Sequence, residues 1–175
     1  MKKFIPIILF VLLFSGFGCQ KTQSVKVPFG WTNFESVDYN FSLAYPDSME
    51  LKERPLDQQD STYAGLQGKF FLSLRDVERE ESSTTLALFY AMKDVDYKKF
   101  EDSLVASDPE SITIKESTDI NQGGIPMKKV VSTTALGEDK IHYLFTSGEN
   151  LIVISVVLRE EETFGPVFET MQVTE

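Results

Sequence analysis

Leu151-Ile152-Val153-Ile154-Ser155-Val156-Val157-Leu158 is apolar throughout except for its one serine, and its β-branched residues favour extended chain. A strand with one face in water would alternate apolar and polar side chains. Here both faces are apolar, so other layers must pack above and below it. Leu86 to Met92 and Ile141 to Phe145 have the same character. These runs predict a sheet covered on both sides, with helices as the available cover.

The flanking sequence supplies the direction of pairing. Lys128 to Leu136, the turn Gly137-Glu138-Asp139-Lys140, Ile141 to Thr146, the turn Ser147-Gly148-Glu149-Asn150 and the run from Leu151 read as a meander. Connections this short require antiparallel neighbours. Ile112 to Asp119 is a further strand, joined to the meander by a loop at Asn121-Gln122-Gly123-Gly124-Ile125-Pro126. Two runs alternate as half-buried strands do. In Asp38 to Tyr45, Tyr39, Phe41, Leu43 and Tyr45 share a face, and Pro46-Asp47 ends the run. In Lys69 to Arg75, Phe70, Leu72 and Leu74 share a face, with Phe71 opposite beside Ser73 and Arg75.

Two segments carry helical spacing instead. Tyr97, Phe100, Leu104 and Val105 form one stripe, with Asp94 or Asp96 placed to accept from the first exposed amides. Phe164, Val167, Phe168 and Met171 form another, with Thr163 as cap and Pro166 in a first turn whose amides have no intrahelical partner. Glu53 to Gly68, rich in Asp, Gln, Gly and Ser, is the widest segment without periodicity and is expected to be a loop. The fold class that follows is α+β: an α/β/α sandwich with a central antiparallel sheet and helices on its faces.

The N-terminus has a different composition. Met1-Lys2-Lys3 is followed by an apolar run from Phe4 to Phe14, broken at Pro6, then by Ser15, Gly16 and Gly18 before Cys19. A charged start, a short apolar middle and small residues make a secretory signal, and the run is too short for a membrane span. A cysteine directly after it resembles the lipobox of bacterial lipoproteins, in which cleavage before the cysteine precedes acylation. Gly18 fits that motif, whereas Gly16 stands where it has Leu, and Phe17 is bulkier than its usual residue. An uncleaved anchor and cleavage elsewhere are the alternatives. Cys19 is the chain's one cysteine, so no intrachain disulfide competes for it, and nothing nearby would activate it as a nucleophile. The expected organisation is a signal peptide at 1–18, a lipid-anchored tether at 19–28 and a single domain at 29–175.

Acidity narrows the partners. The whole chain has a formal charge of -10; loss of Lys2 and Lys3 with the signal makes it -12. Nucleic acid is excluded as a partner class, because phosphate backbones need clustered Lys and Arg. Attachment to a membrane would depend on acyl chains rather than on a basic surface.

Tyr39-Asn40-Phe41-Ser42-Leu43-Ala44-Tyr45-Pro46-Asp47 resembles the opening strand and turn of the PsbP-like family, whose fold is shared with the Mog family of Ran-GTPase binders. Gly124-Ile125-Pro126-Met127 before a strand, the hairpin Tyr143 to Val157 and the closing helix Phe164 to Met171 extend the likeness over residues 37 to 172. The resemblance implies the sandwich fold and a role in binding or assembly. It implies no particular enzymatic activity.

Catalytic constellations are sparse. His142, the sole histidine, lies within a strand and reads as a packed or surface residue. Glu78, Glu80 and Glu81, then Glu160, Glu161 and Glu162, and Asp57 with Asp60, offer oxygen ligands but lack the spacing of a calcium loop. Gly123-Gly124 reads as a turn rather than a phosphate loop. Phe29, Trp31 and Phe34 form an aromatic group that folds onto the core. The expectation is therefore a non-enzymatic envelope protein, anchored at Cys19, with an envelope protein partner and no cofactor or metal. A carboxylate-based hydrolase and a carrier of a small apolar ligand are the alternatives.

Overall fold

The computed structural model describes residues 27–77, 84–134 and 137–174. Its strands are β1 (Trp31–Ser36), β2 (Phe41–Pro46), β3 (Met49–Glu53), β4 (Asp60–Tyr63), β5 (Leu66–Asp76), β6 (Thr84–Lys93), β7 (Thr113–Gln122), β8 (Ile125–Thr133), β9 (Asp139–Ser147), β10 (Asn150–Val157) and β11 (Gln172–Val173). Its helices are α1 (Tyr97–Ser107) and α2 (Glu161–Phe168).

The apolar run that became β10 lies inside an eight-stranded sheet of order β3-β5-β6-β10-β9-β8-β7, with β4 paired to β5 outside that path. Every pairing is antiparallel. A three-stranded sheet, β1-β2-β11, forms a second layer. The meander of β8, β9 and β10 is as expected, and the Gly123-Gly124 turn joins β7 to β8 with φ of 59° and 92°, backbone that glycine adopts without steric cost.

β10 divides its side chains between two apolar clusters. Ile152, Ile154 and Val156 join one with Phe41 and Leu43 of β2 and Phe164, Val167 and Phe168 of α2. Leu151 and Val153 join the other with Phe100 and Leu104 of α1. Helical cover is thinner than the sandwich expectation: α1 has 11 residues and α2 has 8, and the small sheet contributes much of the first cluster. The architecture is α+β, dominated by antiparallel strands.

Phe41 is fully buried and has four aromatic neighbours, Phe34, Phe71, Phe89 and Phe145, with ring centroids 5.9 to 6.2 Å away. Trp31 and Phe34 pack against the same cluster, whereas Phe29 is wholly exposed. The aromatic group near the N-terminus thus folds onto the core only in part.

Local readings change in three places. Glu53 to Gly68 is not a plain loop: a 3-10 turn at Leu56–Gln58 leads into β4, which forms a hairpin with β5. On its other side β5 comes close to β6 at Gly68, where a Cβ would sit 2.8 Å from the Ala91 carbonyl oxygen. In β5 a bulge leaves Phe71 without a partner on β6, so Phe70 joins the α1 side beside Tyr90 while Phe71 packs against Tyr39 and Phe41. Simple alternation assigned them the reverse way, because a bulge inserts one residue into the pleat. Finally, α2 begins at Glu161, so Thr163 lies inside it and caps nothing, and Pro166 is interior. Pro166 and Glu162 are both exposed, so the hydrogen bond that proline cannot make falls on the solvent side. At α1, Asp96 is the cap, accepting from the Lys99 amide at 2.7 Å.

Removing the Phe41 ring leaves a cavity among packed aromatics. Phe41→Ala should lower unfolding free energy by about 3–5 kcal/mol, and Phe29→Ala by less than about 0.5 kcal/mol, in urea denaturation of the full chain. Equal effects would contradict this packing.

Candidate functional site

In an antiparallel ladder, residues opposite one another share a face. Lys52 lies opposite Ser73, Ser73 opposite Leu88, Leu88 opposite Ser155, and Ser155 opposite His142. This transverse row lies on the α1 side of the large sheet and holds more polar groups than any core row should.

One end of the row is sealed. Tyr63 of β4 stacks on Tyr90, 4.2 Å between centroids, and its hydroxyl donates to Ser155 Oγ at 2.8 Å. The Tyr63 hydroxyl oxygen is also 3.2 Å from His142 Nδ1, and Ser132 Oγ is 3.0 Å from His142 Nε2. With the tyrosine proton spent on Ser155, Nδ1–H donates to Tyr63 and Nε2 accepts from Ser132. The Phe100 ring of α1 closes over the imidazole at 5.7 Å. Burial, helped by the Lys140 charge, pushes the His142 pKa down to about 3, and burial pushes the Tyr63 hydroxyl up. Both ring nitrogens are occupied and no solvent reaches them, so His142 is a structural histidine, as its strand position suggested.

The other end is open. A hollow of about 210 Å³ lies between Lys52 and Arg54 on one side and Ser73, Arg75 and Thr85 on the other. Two bulges frame it. The one at Phe71 brings Phe70 beneath Arg54, whose guanidinium carbon lies 4.5 Å from the ring centroid. A second irregularity leaves Leu86 unpaired and sets Thr85 opposite Arg75. Arg75 Nε is buried without a hydrogen-bond partner. An unsatisfied buried donor costs about 1–3 kcal/mol, and more on a charged group.

Acidic residues do not converge. Among the described residues no group of three His, Cys, Asp or Glu side chains could hold a metal ion. Asp57 is exposed and Asp60 pairs with Lys69. Glu160 is buried, while Glu161 accepts from Lys129 at 2.7 Å and from Tyr143 at 3.0 Å. Asp139 is held below the usual carboxylate range by hydrogen bonds from Thr133 and Lys115, so it has no proton to give at neutral pH. Glu78, Glu80, Glu81 and Cys19 lie outside the described residues.

The hollow escaped sequence reading. Lys52 borders the supposed loop and Arg54 lies inside it, and Ser73 and Arg75 look like an ordinary solvent face. The available signal was that both pairs repeat at two-residue spacing, which places each pair on one side of a strand.

No protein-family model matches the sequence, and no curated protein matches it. Among solved structures, the chain is similar to the solution structure of cyanobacterial PsbP (CyanoP) from Synechocystis sp. PCC 6803, with a TM-score of 0.53 and 8% identity, over 82% of this chain and 92% of that one. The likeness is one of fold, and it supports the PsbP-like architecture expected from the strand and turn at Tyr39 to Asp47.

The sealed imidazole has a pH consequence. Unfolded, His142 takes a proton below about pH 6.5, while folded it does not until about pH 3. The folded form therefore loses stability as pH falls through that window, at up to about 1.4 kcal/mol per pH unit. The imidazole ¹⁵N and ¹³C shifts of His142 should stay those of a neutral ring from pH 7.5 to 5, with the proton on Nδ1. His142→Gln should flatten the stability slope between pH 6.5 and 5; a ring titrating near 6.5 in the native spectrum would contradict the burial.

Proposed function

We propose that the protein is a noncatalytic, lipid-anchored module of the bacterial cell envelope, exported from the cytoplasm and acting by binding an envelope protein partner. The observation that carries this reading is how the polar groups are distributed. The one histidine and the hydroxyls around it are spent on each other inside the fold. An enzyme needs its proton-transfer groups where substrate can reach them.

Attachment at Cys19 is compatible with the domain. Val27 and Phe29 are exposed where the chain approaches β1, so a tether at 19–28 joins the domain without disturbing its core. Extended, such a tether reaches on the order of 30 Å. Several acyl chains, at about 0.8 kcal/mol per buried methylene, suffice for stable anchoring. Among the described residues no helix is long and apolar enough to cross a membrane. The layers read as a sandwich in which the small sheet stands in for part of one helical layer.

Two measurements test this reading. Cells fed an alkyne palmitate should label the native chain, and Cys19→Ser should abolish both the label and the mass increment of acylation. Unchanged mass and membrane fractionation in the variant would refute the anchor. Cross-linking of the anchored chain in intact cells should recover the same envelope protein across growth conditions. Recovery of none would refute the binding role.

A further inference from the structure

We propose that the hollow between β3, β5 and β6 binds a phosphate group. The site is separate from the anchor and from any protein partner, and stands or falls without them.

Most lysines elsewhere are paired: Lys69, Lys93, Lys98, Lys115, Lys128 and Lys129 each have a carboxylate partner, whereas Lys99 donates to the Asp94 carbonyl and Lys140 has no carboxylate partner among the described residues. Lys52, Arg54 and Arg75, which line one concave surface, have none among the described residues. Glu50 lies opposite Arg75 in the ladder, yet it is exposed and makes no ion pair with it. Three uncompensated cations gathered in a hollow repel one another, and an anion between them removes that repulsion. Arg75 Nε adds to the demand, since no protein acceptor meets the guanidinium on that side.

The donors specify the anion. Ser73 and Thr85 bring hydroxyls into the same lining, and neither hydroxyl has a partner among the described residues. Two guanidinium groups, an ammonium and two hydroxyls exceed what the two oxygens of a carboxylate can accept. They suit a phosphate group, whose free form has four terminal oxygens, its monoester three, and its diester two terminal and two ester oxygens. Arg54, held over Phe70, and Ser73, in the body of β5, are fixed before any ligand arrives. The volume of about 210 Å³ accommodates one such group. This agrees with the absence of a basic stripe for nucleic acid.

A phosphate could come from solution or from a lipid headgroup, and the titration separates the two. The ¹⁵N-labelled full chain in detergent micelles is titrated with inorganic phosphate, with short-chain phosphatidylglycerol below its own micelle concentration, and with sodium chloride at matched ionic strength. Saturable shifts at the Ser73, Arg75 and Thr85 amides are expected with one or both phosphate compounds and not with chloride. Response to inorganic phosphate alone assigns a soluble ligand, and response to the lipid alone assigns a headgroup. Lys52→Gln and Arg75→Gln should each weaken binding about tenfold, while Lys98→Gln on α1 should leave it unchanged. Lys52 is exposed, so its variant keeps the test sound if the Arg75 variant misfolds. The proposal is overturned by no saturable shift with either phosphate source, by the same shifts with chloride, or by undiminished binding in a folded Lys52→Gln chain.

Discussion

β10 has almost no solvent face from Leu151 to Val156, and the rest of the structure is arranged around that constraint. Burying each large aliphatic side chain is worth about 1.5–3 kcal/mol, but only if a partner layer excludes water. The small sheet and α2 supply that layer beneath Ile152 and Ile154, and α1 supplies it above Leu151 and Val153. Ser155 is the exception within the run. Its hydroxyl must find a partner in a place where water does not reach, and Tyr63 provides it. That single requirement helps fold β4 back across the sheet, and with it a segment whose composition looks like loop.

What could be read from the chain was mostly what repeats. The both-face apolar runs, the meander with its turns and the helical stripe around Phe100 each recur over enough residues for a period to show. β4 has only four residues, Asp-Ser-Thr-Tyr, too few for a period, and pairing with β5 rather than intrinsic propensity makes it a strand. The order of the central strands, with β10 between β6 and β9, also depends on contacts between distant parts of the chain.

The site was legible in one half. His142 within a strand, with no nucleophile or acid in recognisable spacing, already pointed to a packed or surface residue, and the structure packs it. The hydroxyls that hold it come from β4, β8 and β10, and no local pattern announces them. The basic hollow was not legible at all. Its members alternate with core residues, as Lys52 does with Leu51 and Ser73 with Leu74, so each looks like solvent-facing filler until the strands are set side by side.

The two irregularities in the β5–β6 ladder have a further consequence. β5 carries one extra residue at Phe71 and β6 carries one extra at Leu86, so the first slip in register is undone by the second. Leu72 to Leu74 are out of step with the rest of the hairpin, and both its ends keep a common phase. A single insertion or deletion between the slips would throw one end out of phase, and only a matching change in the opposite strand would restore it. Divergent chains of this fold can therefore gain or lose the hollow's frame by paired changes in strand length, even where the residues lining it are the same.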